Sequence, residues 1–288
     1  MKNKSTPAQK ELPIQTYNRL LQIFSRKGWP RNSVVGTGYF DRFCELLKEL
    51  SDEEQEMLLT LTEDFVWVQE MEYIGYFYPA FDRFIRTLPS EPQRTIVIAP
   101  LLPEADFGNS KSSVILFYMI KSHLSEFQAE YRAQNVLHNI TMLDNLAGFD
   151  PSFFPENSLF CLVDDFIGSG ETAVSAIQFF RDKGIPAERL TVLGLVALQQ
   201  GIDFLSQNQI RILPGLLMGK GISDRTDGKA EEYRELMQSI ETRIKVKPDI
   251  AFGYAHSEGL VRMVRTPNNT FPIYWFKGKK NPNAPFPR

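Results

Sequence analysis

Cysteine is almost missing: Cys44 and Cys161 are the only two in 288 residues, which excludes a disulfide framework and a cysteine-based zinc cluster. Histidine is as scarce, and His123 and His138 show no metal-ligand spacing. No apolar run approaches the roughly 18 residues that a membrane helix requires. The lysine-rich start, Met1 to Lys10, leads into no signal-peptide core. Charge of either sign is also in short supply as an excess: 32 basic against 35 acidic residues leave −3, with a pI near 5.8. That lacks the basic footprint of an autonomous nucleic-acid binder. What is present, 43% hydrophobic and 12% aromatic residues, suffices for a sizeable core and excludes wholesale disorder. A cytoplasmic globular protein without membrane contact is expected.

The first third has a helical pattern. Tyr17, Leu20, Leu21 and Phe24 recur at helical spacing until Gly28-Trp29-Pro30, and Phe40, Phe43, Cys44, Leu47 and Leu50 form a second stripe. Ser51 before Asp52-Glu53-Glu54 predicts an N-cap and an acidic first turn. The helix that follows is expected to carry Leu58, Leu61, Phe65 and Val68, with Pro79 limiting its extent. The prolines at 89 and 92 mark a boundary, which divides the chain into a helical region, 1–92, and a second domain, 93–288.

Beyond it, short apolar runs alternate with helical segments, the grammar of βαβ units over a mostly parallel sheet. Strands are expected at Ile96–Ile98, Ile140–Met142, Phe160–Val163, Leu190–Leu198 and Ile210–Leu217, the last peripheral because of Pro214. Helices are expected from Ser112 to Leu124, from Ala173 to Lys183 with Gly184 as its stop, and across Tyr233, Met237, Ile240 and Ile244. Leu260–Val264 and Ile273–Phe276 read as a late strand pair.

One segment carries chemistry: Phe160-Cys161-Leu162-Val163-Asp164-Asp165-Phe166-Ile167-Gly168-Ser169-Gly170-Glu171-Thr172. An apolar strand delivers two carboxylates to the carboxyl edge of a parallel sheet, where open α/β sheets bind their ligands. A small-residue loop then opens a helix, so its amides can close on an anion at the positive helix end. Acids beside a phosphate cradle suit a sugar phosphate: carboxylates accept from ribose hydroxyls or hold Mg²⁺ through water. A βα corner whose acids only cap the helix is the bland alternative.

This segment resembles the phosphoribosyl pyrophosphate (PRPP) signature of the type I phosphoribosyltransferases, with Phe166 and Gly168 departing from the usual pattern. The resemblance implies a Rossmann-like phosphoribosyltransferase fold, an α/β architecture with a mostly parallel sheet, behind the N-terminal helical region. It also implies that Asp164 and Asp165 are the catalytic and Mg²⁺-holding pair on the ribose hydroxyls, and that Gly168, Ser169, Gly170, Glu171 and Thr172 hold the 5′-phosphate. Purine-salvage members carry an acid where Gly168 stands, so that assignment loses its key residue. The lysine-rich mobile loop of orotate-type members is not found either. A pyrophosphate loop is implied after the first strand, where Ser110 and Lys111 are anion-compatible and the Walker A spacing is missing.

Three segments together resemble one subgroup: Val-Asp-Asp-Phe-Ile-Gly-Ser-Gly, Pro-Leu-Leu…Ser-Lys-Ser-Ser, and Thr-Pro-Asn-Asn-Thr-Phe-Pro-Ile-Tyr-Trp. These are phosphoribosyltransferase-like proteins of bacterial conflict systems, some encoded beside retron reverse transcriptases. The resemblance implies a toxic effector of antiviral defence that transfers or removes a phosphoribosyl group on PRPP or a nucleotide. It further implies a retron reverse transcriptase–nucleic-acid complex or another defence protein as partner; a homo-oligomer is a separate expectation that the resemblance does not carry. A non-catalytic PRPP or nucleotide sensor that regulates assembly is the alternative, and Gly168 fits it. Asn268 and Asn269 read either as base-contacting amides or as a turn, with Pro-Asn-Asn favouring the turn. His256 and Glu258 form a candidate acid/base pair, against an incidental loop histidine. The aromatic N-terminal helices read as a hood, a partner-docking surface or a structural layer.

Overall fold

The computed structural model describes residues 11–34, 36–134, 136 and 138–288, so the lysine-rich start lies outside the described residues. In chain order the elements are α1 (Ile14–Lys27), α2 (Tyr39–Lys48), α3 (Asp52–Asp64), β1 (Val66–Trp67), α4 (Tyr73–Arg86), β2 (Thr95–Pro100), α5 (Ser112–Ser122), α6 (Leu124–Ala133) and β3 (Asn139–Met142). They continue with β4 (Leu159–Ile167), α7 (Glu171–Asp182), β5 (Leu190–Leu198), α8 (Gln199–Gln207), β6 (Arg211–Met218), α9 (Ala230–Ile244), β7 (Val261–Arg262) and α10 (Pro272–Trp275).

The chain forms two compact units, and their division differs from the expected cut at residue 92. One unit is built from Val68–Lys220 with Met263–Asn269; the other gathers Met1–Trp67, Gly221–Arg262 and Thr270–Arg288. Residues 68–92 go with the sheet because α4 packs on β5 and β6 through an apolar face of Phe77, Ala80, Phe81 and Phe84. Pro79 lies inside that helix rather than ending the one before it. An interior proline costs about 3 kcal/mol, which burial of three phenylalanines at roughly 1.5–3 kcal/mol each exceeds.

The sheet unit is a Rossmann-like α/β layer structure. Its five strands are all parallel in the order β3-β2-β4-β5-β6. Every residue of β5 is buried, as a strand covered on both faces must be. Along β4 successive side chains alternate faces. Phe160 and Leu162 join the core with Ala176, Phe179 and Phe180 of α7, while Asp165 turns to the face that carries α4 and α5. Gly184 adopts the left-handed conformation (φ 86°) after α7, as its position predicts. Pro214 sits in the edge strand β6, where a missing ladder N–H is tolerated.

The helical unit has an aromatic core. Phe286 lies within 5.2–6.0 Å of the rings of Trp29, Tyr39, Phe43, Phe65 and Trp67. The Arg262 guanidinium stacks over Trp67 at 4.3 Å and over Tyr39 and Phe286 at 4.7 Å, a half-buried cation–π cluster. Ser51 caps α3 in a complete capping box with Glu54. Two expectations fail here. Phe65 and Val68 are not on α3, because the chain turns extended at Phe65 (ψ 131°) and Val66–Trp67 pairs in parallel with Val261–Arg262. The late strand pair does not form either: Pro272 takes the first helical position of α10, and Trp275 Nε1 donates to the Thr270 carbonyl at 2.7 Å.

Candidate functional site

Strand β4 carries Asp164 and Asp165 toward the carboxyl edge of the sheet, and the chain then passes through Gly168-Ser169-Gly170 into α7. Gly170 is the N-cap residue at φ 86°, ψ −9°, a conformation that glycine adopts without steric cost. A Cβ there would lie 3.1 Å from the Gly201 carbonyl oxygen and 3.1 Å from Phe204 Cδ1, so the loop is also closely backed by α8. The first-turn N–H groups of α7 have no intrahelical acceptor, and they give the loop a positive end suited to phosphate. Ser169 Oγ accepts from the Glu171 N–H at 3.5 Å, and Glu171 and Thr172 are exposed beside the loop.

The two acids are not equivalent. Asp165 is 3% exposed and accepts from the Tyr73 hydroxyl (3.0 Å) and from the Ser112 side chain. Asp164 is half-buried, and its Oδ1 accepts from the Asp165 N–H at 2.9 Å. Burial raises the Asp164 carboxyl well above its usual range, and the neighbouring Asp165 charge raises it further. Burial also raises Asp165, although the hydrogen bonds from Ser112 and Tyr73 oppose the shift. Both carboxylates are therefore held at an electrostatic cost that an approaching cation or hydroxyl donor relieves.

Tyr73 is the residue that the sequence did not reveal. Its oxygen donates to Asp165 and accepts from the Val264 N–H at 2.8 Å, so one hydroxyl ties β4 to the 263–269 segment. It lies 92 residues before Asp165 in an aromatic helix, with no local motif to mark it. The 263–269 segment has its own purpose beside the loop. Asn269 is 7% exposed, and its amide occupies the space that a Cβ on Gly168 would need. Position 168 is thus glycine for a packing reason, and Asn269 does more than shape a turn.

The 100–112 loop lies next to β4, with Leu101 N–H donating to the Val163 carbonyl at 2.8 Å. Ser110 is exposed, and Lys111 forms an ion pair with Asp106 at 3.0 Å. Ser112, two residues further on, is the member of this loop that reaches Asp165. Of the two readings of His256 and Glu258, the acid/base pair finds no support, because the carboxylate is engaged elsewhere. The Glu258 carboxylate is buried and accepts from Ile222 N–H (2.9 Å), Ser223 N–H (2.7 Å) and Ser223 Oγ (2.5 Å), which makes it an anchor of the helical unit. Cys161 is fully buried in β4 as a core residue. No helix among the described residues is long and apolar enough to cross a membrane.

The sequence model of the PRTase-CE family matches residues 51–288. A solved structure of orotate phosphoribosyltransferase from Aeropyrum pernix is similar at 13% identity, over 69% of this chain and 93% of that chain, with a TM-score of 0.31. That likeness is too slight to carry residues from one protein to the other. No curated protein sequence matches.

Proposed function

The chain belongs to the PRTase-CE family, a type I phosphoribosyltransferase-like family, and from that premise we propose that it binds PRPP or a nucleotide and transfers or removes a phosphoribosyl group. The observation that supports this best is the conjunction on β4 and α7: two carboxylates with raised pKa, followed five residues later by a left-handed glycine at a helix N-terminus. The loop amides would fix the 5′-phosphate, and Asp164, the more accessible acid, would meet the ribose hydroxyls. Asp165, held by Tyr73 and Ser112, would keep Asp164 and the strand end in position and add negative field as the anomeric carbon becomes oxocarbenium-like.

Mg²⁺ fits this site as a companion of the ligand. Among the described residues no cluster of three or more His, Cys, Asp and Glu is placed to hold a metal. Mg²⁺ commonly binds through one or two carboxylates together with substrate phosphates, and Asp164 can supply such a carboxylate. When bound, it would neutralise the leaving pyrophosphate.

A second reading, a non-catalytic PRPP or nucleotide sensor, has its own support. Asn269 fills the space at Gly168, leaving a neutral amide where an acid/base side chain would otherwise stand. The motif resemblance extends the proposal to a cytoplasmic effector of antiviral defence, toxic when activated and acting with a retron complex or another defence protein; assembly with further copies of itself is proposed apart from that resemblance. Incubation with Mg²⁺, PRPP and a pool of bases and nucleotides separates the readings. Release of pyrophosphate, ribose phosphate or free base that is lost in Asp164→Asn supports the enzyme. Saturable PRPP binding without turnover supports the sensor, and the absence of both binding and turnover sinks both readings.

A further inference from the structure

We propose that the cavity between the 100–112 loop, α5 and the segment after β3, whose lining includes neither the acid pair nor residues 168–172, binds a neutral planar heterocycle, a nucleobase or its nucleoside. The cavity measures about 390 Å³, within the range of roughly 300–1,000 Å³ common for small-molecule sites. Phe107, Phe117 and Tyr118 supply aromatic wall, and Asn109, Ser110 and Asn145 supply polar groups. Asn145 is held in place, since its Oδ1 accepts from the Gly148 N–H at 3.1 Å. Tyr118 is 62% exposed, an open stacking surface rather than part of the packed core.

Charge decides the ligand class. No lysine, arginine or histidine lines the cavity, and its one acid, Asp144, is ion-paired with Lys121. Lys111, adjacent to the lining residue Ser110, is paired with Asp106 at 3.0 Å. A phosphate or pyrophosphate entering here would find no cation in the wall and one carboxylate nearby. A neutral base instead gains stacking on the aromatic rings, with amides and a hydroxyl that can both donate and accept at its edge. One wall is the loop itself, from Phe107 through Gly108 (φ 81°) to Ser110, so an occupant would hold that loop in its present conformation.

This proposal does not rest on phosphoribosyl transfer, because the probes lack phosphate. The full chain is titrated with adenosine, guanosine, cytidine and uridine by calorimetry and saturation-transfer NMR, with inorganic pyrophosphate as the anionic comparison. At least one nucleoside should bind saturably and slow amide exchange across residues 106–112. Tyr118→Ala should weaken that binding roughly 5- to 150-fold, the range of one base–aromatic stack, and Tyr118→Phe should restore it. Ala147→Trp, at an exposed lining position, should block the cavity while leaving the fold intact by circular dichroism. Absence of nucleoside binding at millimolar concentration overturns the proposal. So does nucleoside binding indifferent to both substitutions, or pyrophosphate proving to be the ligand that they displace.

Discussion

The two compact units are made in different ways. The sheet unit takes a nearly continuous stretch, Val68–Lys220, and adds only Met263–Asn269, whereas the helical unit gathers three separated segments. In the first, β2, β4 and β5 are each followed next in the chain by a helix, and neighbouring strands supply the rest. In the second, the core exists only once Phe286 has reached Trp29, Phe43 and Phe65 from the far end of the chain. Local construction leaves a readable pattern and yields a loop with chemistry. Long-range construction yields stability and leaves little trace in any short window.

Breaking this comparison at its coarsest level gives the largest effect. Expressing residues 93–288 alone removes α4 from β5 and β6 and removes α1–α3 from the helical unit, so insoluble or unfolded material is expected. A soluble, cooperatively melting fragment would show that the units are not divided as described. Phe286→Ala comes next. Its ring is fully buried among five aromatic partners, and denaturant unfolding should show a loss of about 3–5 kcal/mol, the usual range for a core phenylalanine. Tyr73→Phe probes the sheet unit through one oxygen. It leaves Val264 N–H and Asp165 each short of a partner, which should cost about 1–3 kcal/mol and loosen the 263–269 segment in amide exchange.

The smallest effects sharpen the comparison through pH. Asp164 in the sheet unit and Glu241 in the helical unit are both raised by burial, Glu241 to about 7. A carboxyl whose folded pKa lies above its unfolded value contributes stability that is full below the unfolded pKa and is lost as pH rises through the folded one. For Glu241 the window runs from 4.5 to about 7, and Glu241→Gln should flatten the fall in stability there, while its side-chain oxygen still accepts from the Phe252 N–H. For Asp164 the fall begins near 3.8 and extends upward, so Asp164→Asn should raise the melting temperature at neutral pH while abolishing ligand binding. The two carboxyls should then part company: PRPP with Mg²⁺ should suppress the Asp164 dependence and leave that of Glu241 in place.

Legibility follows sequence distance rather than the division into units. The five sheet strands, the acid pair and the Gly168–Thr172 turn were readable because strand, loop and helix are adjacent in sequence. Phe65 reads as helical because its partners lie far away at Tyr274 and Phe286, and no periodicity reports them. Pro79 misled for the converse reason, since a local breaker was outweighed by tertiary burial of its neighbours. Tyr73 carries no local sequence signal because its role depends on Asp165 and Val264, both long-range. Gly168 read as a departure from a pattern, and only the position of Asn269 supplies its cause.

The central claim is that the β4 acids and the loop into α7 form a phosphoribosyl site, and a calorimetric titration of PRPP with Mg²⁺ into the intact chain and into Gly170→Val tests it most directly. The variant forces a branched side chain into a left-handed position packed against Gly201 and Phe204, turning the loop amides from the phosphate. The account predicts saturable binding by the intact chain and binding at least about 100-fold weaker by the variant, the equivalent of one or two lost charge-assisted hydrogen bonds. Equal affinity in the two proteins, or no binding by the intact chain, would contradict it.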